Sequence, residues 1–162
     1  MNTELRQAKP YDAPVISELV QAGFAEHVAP DWETSAIERF FAETSAEKIA
    51  AVVANATFAA IYEDQGQALG VILLPRPTLI QLFFVKPGHL RRGIGGALWE
   101  AARTHLAERH AEIKTVELNS SPYAVSAYEA LGFFPISKQF HRAGSVATRM
   151  ACWLPGRALA HS

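Results

Sequence analysis

A short run of arginines and glycines, Arg91-Arg92-Gly93-Ile94-Gly95-Gly96, follows an apolar strand pattern and opens a helical one. Glycines let a ligand approach the backbone closely, and the free N–H groups and dipole of a first helical turn attract an anion. The two arginines add charge and hydrogen-bond donors at the same place, which suits a diphosphate better than a single carboxylate. The run therefore predicts a pyrophosphate cradle.

The same glycines have a second interpretation. A Gly-x-Gly-Gly helix start can simply permit tight packing between a strand and the following helix. The run lacks the Gly-Lys-Ser/Thr of a P-loop, and the chain has no Gly-x-Gly-x-x-Gly spacing, so nucleotide hydrolysis and dinucleotide folds are disfavoured.

Three helices are predicted ahead of this run. Asp12 is a suitable N-cap and Pro14 suits a first turn, and apolar residues then recur at helical spacing to about residue 27. Capping-box patterns at residues 35–38 and 44–47 predict shorter helices over 35–43 and 45–55.

Strands are predicted next. β-Branched and aromatic residues at 58–62 and 68–74 flank a turn at 63–66 and predict a hairpin. Residues 78–85 are the most apolar segment, and such a continuous pattern favours a central strand covered on both faces.

Beyond the glycine run, the pattern predicts a helix to about residue 110 and a short strand at 115–118. A further helix is predicted from residue 122 or 123 to 131, ended by Gly132, because glycine best adopts the left-handed conformation after a helix. Residues 133–140 and 146–153 predict two closing strands.

The composition indicates one globular domain, which we expect to span residues 1–154, with a flexible tail at 155–162. The chain has 162 residues, 49% of them hydrophobic, and a net charge of -1. That charge gives no global attraction for nucleic acid or an anionic membrane, so we expect neither as a partner.

The lone Cys152 has no partner for a disulfide or a thiolate metal site, which fits a reducing compartment. Because the chain also lacks a signal-peptide pattern and any 18-residue apolar stretch, we expect a cytoplasmic protein. The closest pair of histidines is spaced by five residues, which puts them on different helix faces, and no metal is expected.

Residues 83–87, the run 91–96 and the segment Tyr128-Glu129-Ala130-Leu131-Gly132-Phe133 together resemble the GCN5-related N-acetyltransferase (GNAT) superfamily. The resemblance covers roughly residues 57–153. It implies an α/β fold with a mixed, mostly antiparallel central sheet of about six to seven strands flanked by helices. It also implies acetyl-CoA as the cosubstrate.

The resemblance assigns residues to the cofactor. In the family, backbone N–H groups of the loop and helix start bind the CoA pyrophosphate, which corresponds to Arg91, Arg92, Gly93, Ile94, Gly95 and Gly96. The family pattern begins with Gln or Arg where this chain has Leu90. The pantetheine arm pairs with a strand that is splayed from its neighbour at a bulge, which corresponds to Phe83, Phe84 and Val85.

The resemblance places Tyr128 near the CoA sulfur, as the acid that protonates the departing thiolate. A phenol suits this role because its pKa, about 10, lies above that of a thiol, about 8.5. Without the family, the favoured interpretation of Tyr128 is a residue packed on a helix face with its hydroxyl bonded to a backbone group. Many members carry a pantetheine-binding Asn at the position of Ser121, and either Ser121 or Asn119 could replace it or merely cap the turn.

The general base has no clear signature. Some members carry a Glu on the central strand where this chain has Leu79. Five other residues are candidates, although water could also accept the proton. They are Glu26, His27, Asp31, Glu33 and Glu117.

The function implied is transfer of acetyl from acetyl-CoA to a primary amine of a small molecule, amino acid or peptide, by direct attack in a ternary complex. Phe24, Trp32 and Phe40 could form an apolar acceptor pocket, and Cys152 gives no reason for an acyl-enzyme. A non-catalytic acyl-CoA sensor is the alternative, and a phosphate-binding enzyme of another fold is a third. A homodimer is common in the family.

Overall fold

The computed structural model describes residues 2–154, which contain five α-helices and eight strands. The helices are α1 (Ala13–His27), α2 (Thr34–Glu43), α3 (Ala46–Ala54), α4 (Ile94–Arg109) and α5 (Val125–Ala130). The strands are β1 (Thr3–Gln7), β2 (Phe58–Asp64), β3 (Gln67–Leu74), β4 (Leu82–Val85), β5 (Thr115–Ser120), β6 (Phe134–Pro135), β7 (Phe140–Arg142) and β8 (Ser145–Trp153). The tail expected at 155–162 lies outside the described residues.

The strands form two antiparallel sheets. One has the order β1-β2-β3-β4, and the other has the order β5-β8-β6 with β7 also paired to β8. The sheets meet at a short parallel bridge, where the Ile80 N–H donates to the Glu117 carbonyl at 2.9 Å and the Glu117 N–H donates to the Thr78 carbonyl at 2.9 Å. The α/β class and the mostly antiparallel sheet flanked by helices are as expected.

Strand β3 carries the core on both of its faces. Ile72 and Leu74 belong to a cluster with α4 and β8, whereas Val71 and Leu73 belong to a cluster with α1 and α3. Alternate side chains of a strand point to opposite faces. Because both faces of β3 are covered, all of its residues from Leu69 onward are buried. The covered central strand is therefore β3, and the prediction that residues 78–85 take this place is wrong.

The apolar segment 78–85 is divided between the two sheets. Only Leu82–Val85 pairs with β3, whereas Thr78 and Ile80 bond to β5. The Gln81 N–H donates to the Leu73 carbonyl at 2.9 Å although Leu73 is already the register partner of Leu82. Two residues oppose one, which is the pattern of a β-bulge. Beyond it, β4 and β5 no longer pair, and a gap opens between the sheets.

The N-terminal strand β1 was not expected, because its five residues are polar or exposed and show no alternation. It pairs along β2 and is fixed by the guanidinium of Arg6, which bonds Asp12 at 2.8 Å and Glu63 at 3.0 Å. Asp12 precedes α1 as expected, but its carboxylate accepts from the Lys9 N–H and from Arg6 and does not cap the helix.

The last part of the chain contains less strand than predicted. Residues 133–140 form only the short β6 and the start of β7, whereas 146–153 fall within β8. Within residues 2–154, no helix combines the length and the apolar character needed to cross a bilayer.

Candidate active site

The start of α4 presents four backbone donors without helical partners. Gly93 is the N-cap with a φ of 81°, and the first helical hydrogen bond runs from the Ala97 N–H to the Gly93 carbonyl at 3.0 Å. The N–H groups of Gly93, Ile94, Gly95 and Gly96 therefore have no acceptor in the helix. All four residues line one cavity of about 710 Å³, as the cradle prediction requires.

Tight packing does not account for the glycines at 95 and 96. A Cβ at Gly95 would lie 3.9 Å from the ring of Phe83, and one at Gly96 would lie 3.8 Å from Leu131, both ordinary contacts. Close packing depends instead on Gly70 of β3, where a Cβ would lie 2.7 Å from Cγ2 of Ile94. Of the two interpretations of the glycine run, the geometry therefore favours the cradle.

The two predicted arginines differ in position. Arg91 lines the cavity, with a φ of 64°, whereas Arg92 is not among the lining residues and contacts Nδ1 of His89 at 2.6 Å. Leu90, the departure from the family pattern, also lines the cavity. Of the two arginines, Arg91 alone therefore lines the cavity.

Strand β4 exposes backbone groups to the gap. The Lys86 N–H donates to the Leu69 carbonyl at 2.8 Å, which marks a hydrogen-bonded position of the β3–β4 ladder. Because such positions alternate along antiparallel strands, Phe84 bonds to β3, whereas Phe83 and Val85 direct their N–H and C=O groups to the gap. Phe84 instead contributes its side chain to the cavity lining.

Tyr128 of α5 faces this gap. Its hydroxyl lies 3.5 Å from the carbonyl oxygen of Phe83, and its ring packs against Phe83 and Phe133 at centroid distances of 5.6 and 5.9 Å. Burial raises the pKa of the Tyr128 phenol above its ordinary value, so the group keeps its proton at neutral pH. The phenol is therefore a proton donor that reaches the open edge of β4.

Asn119 and Ser121 both line the same cavity, so both residues remain candidates for the polar contact with pantetheine. Asn119 is exposed near the end of β5, and Ser121 is the residue from which the turn Pro122–Ala124 begins. The Ser120 hydroxyl donates to the Ser121 carbonyl at 2.7 Å, which fixes this turn.

The part of the cavity that is lined by α1, α2 and the loop between them is aromatic. Phe24, Trp32 and Phe40 line it, as the sequence predicted for an acceptor pocket. Phe24 stacks on Phe40 at 3.8 Å between centroids and meets Trp32 edge-on at 5.0 Å. Phe140, Arg142 and Ser145 also line the cavity, although no local sequence motif marks them, and Tyr123 lines it too.

Of the five candidate bases, only His27 lines the cavity. It stacks on Tyr123 with centroids 4.1 Å apart and ring planes 9° from parallel. Its Nε2 is buried and has no hydrogen-bond partner among the described residues. Glu117, another candidate, forms an ion pair with Arg149 at 3.4 Å instead.

Comparison with known proteins gives one family. Residues 28–154 match the model described as the acetyltransferase (GNAT) domain. The peptidyl-lysine N-acetyltransferase YiaC of Escherichia coli K12 is 25% identical over 93 residues, which are 57% of this chain. The aligned part spans only 61% of the length of that relative.

Solved structures share the fold. A GCN5-related N-acetyltransferase from Rhodopseudomonas palustris superposes with a TM-score of 0.81 at 21% identity, covering 95% of this chain and 97% of that one. The PaiA N-acetyltransferase of Thermoplasma acidophilum, solved with coenzyme A, has a TM-score of 0.77 at 16% identity, covering 94% and 99%.

Proposed function

The chain belongs to the GNAT acetyltransferase family and is thus an acyltransferase, and from this premise we propose that it transfers acetyl from acetyl-CoA directly to a primary amine. One observation carries the proposal: the free N–H groups of residues 93–96 and the aromatic end with His27 line one continuous cavity, which Tyr128 also lines.

The residues present fit acetyl-CoA, which supplies the acetyl group as a thioester. The four N–H groups at the start of α4 and the charge of Arg91 suit its pyrophosphate, as a helix N-terminus binds phosphate. The outward N–H and C=O groups of Phe83 and Val85 suit the amides of its pantetheine arm. Asn119 or Ser121 adds a polar side chain along that arm.

Tyr128 is proposed as the acid. Its phenol holds a proton at the open edge of β4 and donates it, by hydrogen bond or by transfer, to the sulfur that leaves. Solvent then restores the proton on the hydroxyl.

His27 is proposed to take the proton that the amine loses, because it alone among the candidate bases lines the cavity. A missing strand carboxylate at Leu79 leaves no other candidate in that position. Since the cavity is open to solvent around residues 91 and 93, water is the competing acceptor.

A direct transfer needs no acyl-enzyme. Cys152 is buried on β8, is absent from the cavity lining, and has a thiol whose pKa burial raises. A neutral, inaccessible thiol is a poor nucleophile.

The proposal is tested by titrating the protein calorimetrically with acetyl-CoA, free CoA and ATP, and then measuring thiol release with amines. We expect one-to-one binding of acetyl-CoA, weak binding of ATP, and thiol release that depends on the amine. Binding without amine-dependent release would indicate a sensor, and no binding by folded protein would refute the cradle.

A further inference from the structure

We propose that the acceptor is a small zwitterion, an α-amino acid with an aromatic or large apolar side chain, whose carboxylate binds Arg142. The inference rests on the proposed function and names the substrate class of that same site. Three features of the acceptor end carry it: its charge, the position of Arg142, and its apolar lining.

The cavity lining holds no acidic residue among those described. A polycationic amine would bring further ammonium groups close to Arg142 with no carboxylate in the lining to compensate them, and like charges repel. The charge of the lining therefore disfavours polyamines.

Arg142 supplies the cation that the acceptor end offers. It lies at the end of β7, next to the turn 143–144, and this turn docks on α2. The Glu33 N–H donates to the Gly144 carbonyl at 2.9 Å, and Arg39 donates to the Ala143 carbonyl at 2.7 Å. The exposed Arg142 is thereby held beside the entry to α2, and it lines the same cavity as the aromatic residues.

The guanidinium of Arg142 has no ion-pair partner in residues 2–154, and its central carbon lies 5.9 Å from the ring centroid of Phe140. A guanidinium has a planar donor geometry that matches a carboxylate with two parallel hydrogen bonds. Since the cradle already has Arg91, Arg142 is free to select an anion on the acceptor.

The remaining lining at this end is aromatic, and it contains two buried polar atoms without partners among the described residues, Nε1 of Trp32 and Nε2 of His27. Buried polar groups in folded proteins are nearly always hydrogen-bonded to protein, to ordered water or to a ligand, so both atoms are open to a polar partner. An apolar side chain fits the rings, while the amine and carboxylate supply the missing polar groups.

The test compares phenylalanine, leucine and tryptophan with their amides, phenethylamine, a lysine-containing peptide and spermidine, by thiol release at saturating acetyl-CoA. We expect kcat/KM for each amino acid to exceed that for its amide by about tenfold or more, because only the carboxylate forms a charge-assisted hydrogen bond with Arg142. Spermidine is expected to be the poorest acceptor. A dipeptide with a free carboxylate is also compared, because its amine and carboxylate are further apart. We expect it to be a poorer acceptor than the free amino acid.

Arg142→Gln should abolish the difference between acid and amide, mainly by raising KM for the acids. Arg149→Gln is the matched control, because Arg149 lies on neighbouring β8 outside the cavity lining. Equal rates for acids and amides, or a difference that survives Arg142→Gln, would overturn the inference while amine-dependent release upholds the proposed function. If no amine releases thiol, both are wrong.

Discussion

The hydroxyl of Tyr128 lies 3.5 Å from the carbonyl oxygen of Phe83, across the gap where the two sheets separate. One residue belongs to a six-residue helix and the other to a four-residue strand, and 45 positions separate them in the chain. Segment 78–80 pairs with β5 at the Leu79 bridge, and the bulge at Gln81 ends this pairing. The gap that follows leaves room for Tyr128 to reach Phe83.

Tyr128→Phe is expected to lower kcat by about 100-fold, the lower end of what a general acid contributes. The ring keeps its packing against Phe83 and Phe133, so the Kd for acetyl-CoA should barely change. Steady-state thiol release and calorimetry measure the two effects.

Tyr11→Phe is the control for this variant, because Tyr11 is exposed and lies outside the cavity lining. Its kcat should stay within about twofold of the parent, as for a surface substitution that keeps its packing. An unaltered kcat in Tyr128→Phe would remove the assigned acid role.

Gly95→Glu is expected to raise the Kd for acetyl-CoA by about 100-fold, since a carboxylate beside the phosphates costs several kcal/mol. The fold should survive, because a Cβ at this position meets the ring of Phe83 only at 3.9 Å and an acid in a first helical turn is favourable. Calorimetric titration together with thermal unfolding measures this. Retained affinity in a folded variant would refute the cradle.

Gly70→Ala, in contrast, should affect stability and lower the free energy of unfolding by about 1 to 3 kcal/mol through overpacking. Its Cβ would lie 2.7 Å from Cγ2 of Ile94 and 3.0 Å from Cδ1 of Leu98. Urea unfolding of Gly70→Ala beside Gly95→Ala checks this. Equal stability of the two variants would mean that α4 does not depend on Gly70 for its approach to β3.

Short-range patterns predicted most of the fold and the cradle. The capping-box pattern at 44–47 predicted the start of α3 to within one residue, since Ser45 and not Thr44 caps the helix and accepts from the Lys48 N–H at 3.3 Å. Gly132 adopts a φ of 104° just beyond α5. The glycines at the start of α4 were found for the same reason. In each case the conformation depends on residues within one turn of each other.

Features that depend on distant pairing were missed or misplaced. The hairpin of β7 and β8 brings Arg142 beside α2 although about 100 residues separate them, and no pattern at 140–147 marks a site. The polar strand β1 shows no alternation because its side chains face solvent. Residues 78–85 looked like one strand, since hydrophobicity does not reveal where a bulge divides it.

His27→Gln is expected to lower kcat by about tenfold, less than the roughly 100-fold or more typical of a general base, because water can substitute as the proton acceptor. The Kd for acetyl-CoA should be unchanged, because His27 belongs to α1 and not to β4 or the start of α4, to which the cofactor contacts are assigned. Glu26→Gln, its exposed neighbour outside the lining, is the matched control. Equal kcat values for the two variants would mean that water, and not His27, accepts the proton from the amine.

Acid should selectively weaken the attachment of β1. The Arg6 guanidinium holds the pKa of Asp12 below its ordinary value of 3.8, against the opposing effect of burial. Because the folded pKa is the lower one, the stabilisation is complete above the unfolded pKa and disappears as the pH falls through the folded one.

Asp12→Asn should therefore lower the free energy of unfolding at pH 7 by about 2 kcal/mol, the value of a hydrogen bond between charged groups. As the pH falls from about 4 through the lower folded pKa of Asp12, the parent loses the ion pair and the difference between the two proteins should shrink. Urea unfolding at pH 7 and at pH 3 measures both. A constant difference between them at the two pH values would mean that Asp12 acts through its bond to the Lys9 N–H and not through Arg6.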